Sequence, residues 1–471
     1  MATHGRQSRL RCGKHGRHHR AGRKGREYRM RNTHRLILAL AMSLLSLGLL
    51  AGDAATTATV SRPSVDVHRG PDFKAPTVVS LKQNASVTIA AQQGLWFKVQ
   101  TADGKTGYVR VNEVRMAYAK AETGGIGKTL FSGKAGKGRV SETASVRGLD
   151  ESELKSASFD AAQLQLMESY RVQPADAEKA ARARRWPATE VAYATEFQPG
   201  QAPAGPQATQ AEKRQRFSIA RNLLSIVKPG IADAAADGDK LIGKSDQEIT
   251  AQELELGPLI AGRILGAAPL LNDAAAQRRI NLVGRWLASR TSRPDLPWTF
   301  GIIDNDEINA FAAPGGYVLV TRGLYQLLAD DAELAAVLGH ELSHVVQRDH
   351  YEVVRKQEMQ GAGRNLALSR VKAGGVAGSL AKDYVAKHGA AVMMTALDRD
   401  AEYRADEAAG IYLARAGSNP LALYAVLQKM TGLGTSSPRL TQLYRTHPPL
   451  DARMDRIDQR GYAGLEAYTR R

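Results

Sequence analysis

The spacing of apolar and polar positions changes period along this chain. Between residues 58 and 118 the period is two. Val65-Asp66-Val67, Val78-Val79-Ser80-Leu81, Val87-Thr88-Ile89, Trp96-Phe97-Lys98-Val99 and Gly107-Tyr108-Val109 predict five short strands. Arg69-Gly70-Pro71, Gln93-Gly94 and Asp103-Gly104 interrupt them as turns. So many short strands in so short a span predict a small β-barrel. Further on the pattern is helical. Residues 151–196 read as a charged, Ala-rich helical segment, and residues 197–210 (FQPGQAPAGPQATQ) as a linker. Helical spacing resumes near residue 214, and Leu254–Ser289 reads as a long helical region with Gly257-Pro258 near its start. Asp330, Asp331 and Glu333 open another helix, where acids suit the positive helix end. Leu334, Val337, Leu338, Leu342, Val345 and Val346 bury one side of it, and the spacing runs on through Tyr351.

The strand-rich span also has distinctive wording: Val67-His68-Arg69-Gly70-Pro71, Gly94-Leu95-Trp96-Phe97-Lys98-Val99 and Gly104-Lys105-Thr106-Gly107-Tyr108-Val109. It resembles a bacterial SH3 domain. That resemblance implies contact with peptidoglycan or envelope proteins, or a spacer role. Trp96 itself reads as core rather than as a ligand platform. Residues 119–150 are rich in Gly, Lys and Ser. Gly127-Lys128-Thr129 is not a phosphate-binding loop, because that motif needs glycine where Glu122 stands and no apolar strand leads into it.

Composition changes the picture in two places. The formal net charge is +18, which suggests nucleic acid. Residues 1–55, however, hold twelve Lys/Arg against the two acids Glu27 and Asp53 and so carry +10, leaving +8 on the rest. The sequence shows no nucleic-acid recognition motif, and no such partner is expected. Leu36 to Ala51 is an uncharged apolar run behind a basic stretch and ahead of Gly52-Asp53-Ala54-Ala55. That order predicts a secretory signal, cleaved near Ala54 or Ala55. Met30 would begin a signal of ordinary length. The single cysteine, Cys12, precedes the apolar run, so no disulfide framework and no thiol nucleophile are expected in the exported part. The expected location is the periplasm, peripheral to a membrane.

Candidate chemistry centres on His340-Glu341-Leu342-Ser343-His344. Two histidines four apart share a helix face and reach one metal ion, and the glutamate beside the first can activate water. A catalytic zinc needs a third protein ligand and one open position. His350 is one candidate. On a helix running through Tyr351 it points well away from His340, and Gln347 stands where a chain-breaking glycine would be needed, so it reads as a histidine near a helix end. Glu402 is the other candidate. It is four residues from Asp406, which would accept the second ring N–H of a ligating histidine. Alone, those acids read as a solvated charged helix. Paired with the upstream motif, they read as ligand and support.

In order along the chain stand Asn309-Ala310-Phe311-Ala312-Ala313-Pro314-Gly315-Gly316, Val318-Leu319-Val320-Thr321-Arg322-Gly323-Leu324, the His340–His344 motif, Glu402 with Ala405-Asp406, and Thr446-His447-Pro448-Pro449 followed by Arg453. This combination, over about residues 251–460, resembles the gluzincin peptidases of the HtpX and CAAX-prenyl-protease type, most closely their exported bacterial members that maintain the outer membrane. The resemblance implies one Zn2+ on His340, His344 and Glu402, with Glu341 as base. His447 either stabilises the oxyanion or approaches the zinc as a removable fourth ligand: His447→Ala raises proteolysis in the second case and lowers it in the first. Asn309, Ala310, Phe311 and Ala312 would pair with an extended substrate, and Gly361–Ala396 would form a lid.

The expected fold class is therefore multidomain: a small all-β SH3-like barrel followed by a mainly α (α+β) zincin metallopeptidase domain. The expected plan is residues 1–55 as basic N-terminus and signal, 56–118 as SH3-like domain, 119–250 as linker and helical segment, and 251–471 as peptidase. The partners expected are protein or peptide substrates, with outer-membrane association. The rival expectation is a non-catalytic scaffold or holdase that works through the SH3-like domain.

Overall fold

Alternating valines and isoleucines build the first sheet. A computed structural model describes residues 56–117, 149, 151–191, 246–356, 389–434, 437–461 and 465–470. The signal region with Cys12, the 119–148 stretch, the 197–210 linker, the helical expectation at 214–245 and residues 361–388 of the expected lid, including His388, lie outside the described residues. Seven antiparallel strands span Thr56–Val60 (β1), Ser64–His68 (β2), Thr77–Lys82 (β3), Ser86–Gln93 (β4), Trp96–Thr101 (β5), Thr106–Arg110 (β6) and Val114–Met116 (β7). Their order is β3-β2-β6-β5-β4-β1-β7. Two strands join the five expected. They are β1 and β7, which pair with each other through Ala58 and Met116. Val65, Val67, Val87, Ile89, Phe97, Val99 and Val109 point into the core, as the period of two requires. Trp96 is buried too. Gly107 allows β6 to lie against β2: a Cβ there would come within 2.5 Å of Val67 and 2.6 Å of the His68 carbonyl.

The remainder is mostly helical. Helices Glu151–Ser156 (α1), Ala161–Ser169 (α2) and Pro174–Ala183 (α3) occupy the Ala-rich segment. The expected single helical region at 254–289 is two helices, Asp246–Ala267 (α4) and Ala274–Ala288 (α5). Pro269 interrupts the ladder, and Asp273 starts α5 by accepting a hydrogen bond from the Ala276 N–H. A second sheet follows, with strands Thr299–Ile303 (β8), Ala310–Ala313 (β9) and Tyr317–Thr321 (β10) in the order β8-β10-β9. Strand β10 lies parallel to β8 and antiparallel to β9. Gly315 and Gly316, at φ +76° and +96°, turn the β9–β10 hairpin.

Helix Arg322–Leu327 (α6) leads to Asp331–Val346 (α7), whose residues from Glu333 onward are all buried. The Asp330 carboxylate caps α7 on the Ala332 and Glu333 N–H groups. Helices Arg399–Arg415 (α8), Leu421–Gly432 (α9), Thr441–Thr446 (α10), Leu450–Arg456 (α11) and Glu466–Thr469 (α12) follow.

The predicted continuation of α7 through Tyr351 is wrong. The helix ends at Val346, and Arg348 turns left-handed at φ +63° before residues 349–356 resume a helix. A left-handed residue other than glycine costs about 1–2 kcal/mol. Tertiary contacts offset that cost. The buried Arg348 guanidinium meets Glu253 at 3.1 Å, Asp246 at 2.8 Å and Thr250 at 3.0 Å, all on α4.

The two halves share one apolar core. Gln428 on α9 accepts from the Met116 N–H at 3.0 Å and donates to the Val111 and Val114 carbonyls. Arg115 pairs with Asp455 and Asp458 at 2.8 Å each, and Arg62 with Asp458 at 2.6 Å.

Candidate metal centre

Helix α7 sets His340 above His344, with ring centroids 4.8 Å apart and Nε2 atoms 3.2 Å apart. Helix α8 lies alongside, and small residues let it approach closely: a Cβ on Gly339 would sit 3.4 Å from Ala409. Glu402 and Asp406 face α7 from that helix, one turn apart. Glu402 Oε2 lies 3.5 Å from His340 Nε2, and Oε1 lies 3.7 Å from His344 Nε2. His447, held ahead of α11 by Pro448 and Pro449, brings its Nε2 to 3.6 Å from Glu402 Oε2. Ligand atoms of His340, Glu402 and His447 all lie within 4.8 Å of one another.

The far sides of the imidazoles are also held. Asp406 Oδ1 is 2.9 Å from His340 Nδ1, and Asp349 Oδ2 is 2.8 Å from His344 Nδ1. Arg453 on α11 donates to both Asp406 oxygens, at 2.9 and 2.6 Å. It also comes within 3.3 Å of His340 Nδ1, but the shorter carboxylate contact takes that ring N–H. With both Nδ1–H groups committed to carboxylates, the two Nε2 lone pairs face each other across a short gap. A shared proton or a bound metal ion relieves that arrangement. The Glu402 Oε2 atom is buried with no hydrogen-bond partner. These donors fit zinc, which takes imidazole nitrogen and carboxylate oxygen in tetrahedral sets.

Electrostatics agree. Burial and Arg453 act to lower the His340 pKa, yet the carboxylates of Asp406 and Glu402 beside it raise it to about 9. Burial alone would raise Glu402, but His447, His340 and His344 hold it well below the usual carboxylate range. Burial likewise opposes Asp406, and Arg453 brings it down to about 2. The cage therefore favours positive charge at its centre. Glu341 moves the other way: burial raises its pKa and makes it a better proton acceptor. Burial lowers the His447 pKa to about 4.

A cleft of about 360 Å³ opens over these groups, lined by Asn309, Ala310, Phe311, Ala312, Glu341, His344, His350, Met393, Thr395, Leu397, Glu402, Thr446 and His447. The four residues Asn309–Ala312 thus sit at the site, three of them on the outer strand β9. Of the expected lid, Gly389–Met394 forms a 3-10 turn beside the cleft. A second, apolar lobe of about 380 Å³ shares Asn309, Ala310, Glu341 and His447 and is walled by Leu423, Val426, Leu427 and Met430 of α9.

Two residues overturn sequence reasoning. His350 does not project away from the site. The break at Arg348 returns it to a ring separation of 5.8 Å from His344. Asp349 was not anticipated at all, because it reaches His344 only across that same break.

The chain matches the model for Peptidase family M48 over residues 274–461 and that for a Bacterial SH3 domain over 63–114. It is 30% identical over 247 residues to the Beta-barrel assembly-enhancing protease of Escherichia coli K12, covering 50% of this chain and 49% of that protein. It is 29% identical over 213 residues to the Yersinia pestis protein of that name, covering 43% and 42%. The chain thus spans about half the length of these curated relatives. The Protease HtpX homolog of Thermodesulfovibrio yellowstonii is 30% identical over 224 residues, which is 40% of this chain and 77% of that protein. The family model takes in the whole cluster from Asn309 to Arg453, and this chain belongs to peptidase family M48, with a bacterial SH3 domain ahead of its peptidase region.

Proposed function

We propose that this protein is a zinc-dependent endopeptidase of the bacterial envelope that hydrolyses unfolded or misassembled envelope proteins. The observation that carries the metal assignment is the pair of opposed Nε2 atoms beside the unpartnered Glu402 Oε2. His340, His344 and Glu402 hold the zinc, and His447 is its removable fourth ligand, a role supported by its Nε2 lying 3.6 Å from Glu402 Oε2. Asp406 and Asp349 fix the two ring tautomers, and Arg453 holds Asp406 ionised. Bound zinc supplies a Lewis acid that acidifies water and polarises a carbonyl. Glu341 takes the proton from water and delivers it to the leaving amine nitrogen. Its burial keeps bulk water from competing for that proton.

Strand β9 supports an unfolded substrate. As the outer strand it offers backbone pairing to any extended peptide, which reads shape more than side chains. The relatives named as β-barrel assembly-enhancing proteases support an envelope setting, and the predicted signal supports export to the periplasm. Among the described residues, no helix is long and apolar enough to cross a membrane. The SH3 domain provides contact with peptidoglycan or envelope proteins. A purely scaffolding role leaves the buried Glu341 beside the ligands unexplained.

The test is casein hydrolysis by the zinc-loaded chain and by Glu341→Gln. The variant should keep one zinc and lose activity by about 10²- to 10⁴-fold, the contribution of a positioned acid–base group. Equal hydrolysis by the two proteins, or none by the wild type, ends the peptidase reading.

A further inference from the structure

The break at Arg348 delivers two side chains to the metal centre, and Asp349 accounts for one of them. The other is His350. It is 8% exposed and lines the polar lobe of the cleft beside His344, Glu341 and Glu402. Its Nδ1 is enclosed and has no hydrogen-bond partner. A buried polar atom left unpaired is costly, and proteins retain such atoms where a ligand completes them. The left-handed turn at Arg348 adds a second cost to keeping the ring there.

The proposed zinc draws on His340, His344, Glu402 and His447 and leaves His350 without a role. In its neutral form the His350 imidazole offers one N–H and one lone pair. The same lobe is lined by Asn309–Ala312. An extended peptide paired with an outer strand satisfies the backbone groups on one of its edges. The groups on its other edge still need partners once water is displaced.

We propose that His350 is a substrate-contact residue whose imidazole hydrogen-bonds the backbone of an extended peptide lying along β9. The identity of the ligand as a peptide rests on the peptidase reading above. The contact is made in ground and transition states alike, so it acts on binding rather than on turnover.

The experiment measures binding of a fluorescein-labelled casein peptide to the zinc-loaded full chain carrying Glu341→Gln, with and without His350→Phe, which fills the same volume. Loss of one neutral hydrogen bond should raise Kd on the order of three- to tenfold. Zinc content should stay at one per chain, and His350→Gln should bind within about twofold of the parent because its amide can replace the bond. If the phenylalanine variant does not fold, His350→Ala is read in the same way. Unchanged Kd, or loss of zinc on removing the ring, overturns the proposal. Wild-type turnover is scored separately: binding that depends on His350 in a chain that hydrolyses nothing would end the peptidase reading and leave this contact standing.

Discussion

Two carboxylates hold the imidazoles proposed as metal ligands. Asp406 lies on the same helix as Glu402, so its relation to that residue is a matter of local spacing. Asp349 lies beyond a break and reaches His344 only because the chain reverses at Arg348. Each fixes one imidazole with its Nε2 lone pair turned inward. Asp349→Asn keeps the shape but removes the charge that strengthens the ring as a donor of electrons. It should weaken zinc binding by about 10- to 100-fold, read by competition with a chromophoric chelator, while leaving the fold intact. An unchanged affinity would make Asp349 a bystander. Asp406→Asn should be the worse lesion, because it also leaves the buried Arg453 without its ion-pair partner.

Helix α7 is the element on which the site depends, and both of its ends are set by other helices. At its start Asp331 receives Arg184, the C-cap of α3, at 2.5 Å and Arg279 from α5 at 2.6 Å. Partial burial acts to raise the Asp331 pKa, but hydrogen bonds from the two arginines outweigh it and lower the pKa below its ordinary 3.8. A carboxyl depressed in the folded state stabilises that state above the unfolded value and stops doing so as pH falls through the folded value. Asp331→Asn should therefore cost about 1–2 kcal/mol at neutral pH. The gap in urea stability between wild type and variant should hold down to about pH 4 and close below the ordinary 3.8. A gap that persists at lower pH would mean that packing, not charge, holds this end. At the other end, the Glu253–Arg293–Arg348 ion pairs at α4 impose the break that sequence periodicity does not reveal. The α4–α5 division has a local cause instead: Pro269 and Asp273 are stop and start signals that a purely periodic reading runs across.

Across the whole molecule, the SH3 domain and the peptidase region meet at the helices that build the site. Gln428 on α9 closes three backbone groups of the SH3 domain, and the opposite wall of α9 lines the apolar lobe of the cleft. Arg62 and Arg115 grip Asp455 and Asp458, in and just after α11, the helix that presents Arg453 to the centre. Trp96 is buried, with the Arg110 guanidinium 5.1 Å above it, and Arg110 also donates to the carbonyl of Thr469. A seam so continuous with the core predicts that both parts unfold together, as one calorimetric transition. Gln428→Leu leaves the Met116 N–H and two carbonyls unpaired and should destabilise the protein by about 2–4 kcal/mol, read as a lowered midpoint. Two resolved transitions in the wild type would contradict the shared core.

The sequence by itself determined the parts that repeat locally. A period of two and its turn residues specified the SH3 strands, and the four-residue spacings placed His340 over His344 and Glu402 over Asp406, because helix geometry converts spacing into adjacency. The tertiary structure alone decided how those faces meet. It added β1 and β7, whose pairing joins residues far apart in the chain. It ended α7 at Val346 through ion pairs to α4, and so returned Asp349 and His350 to the candidate metal centre. Local periodicity carries no trace of a left-handed arginine, because the contacts that stabilise it come from nearly a hundred residues upstream.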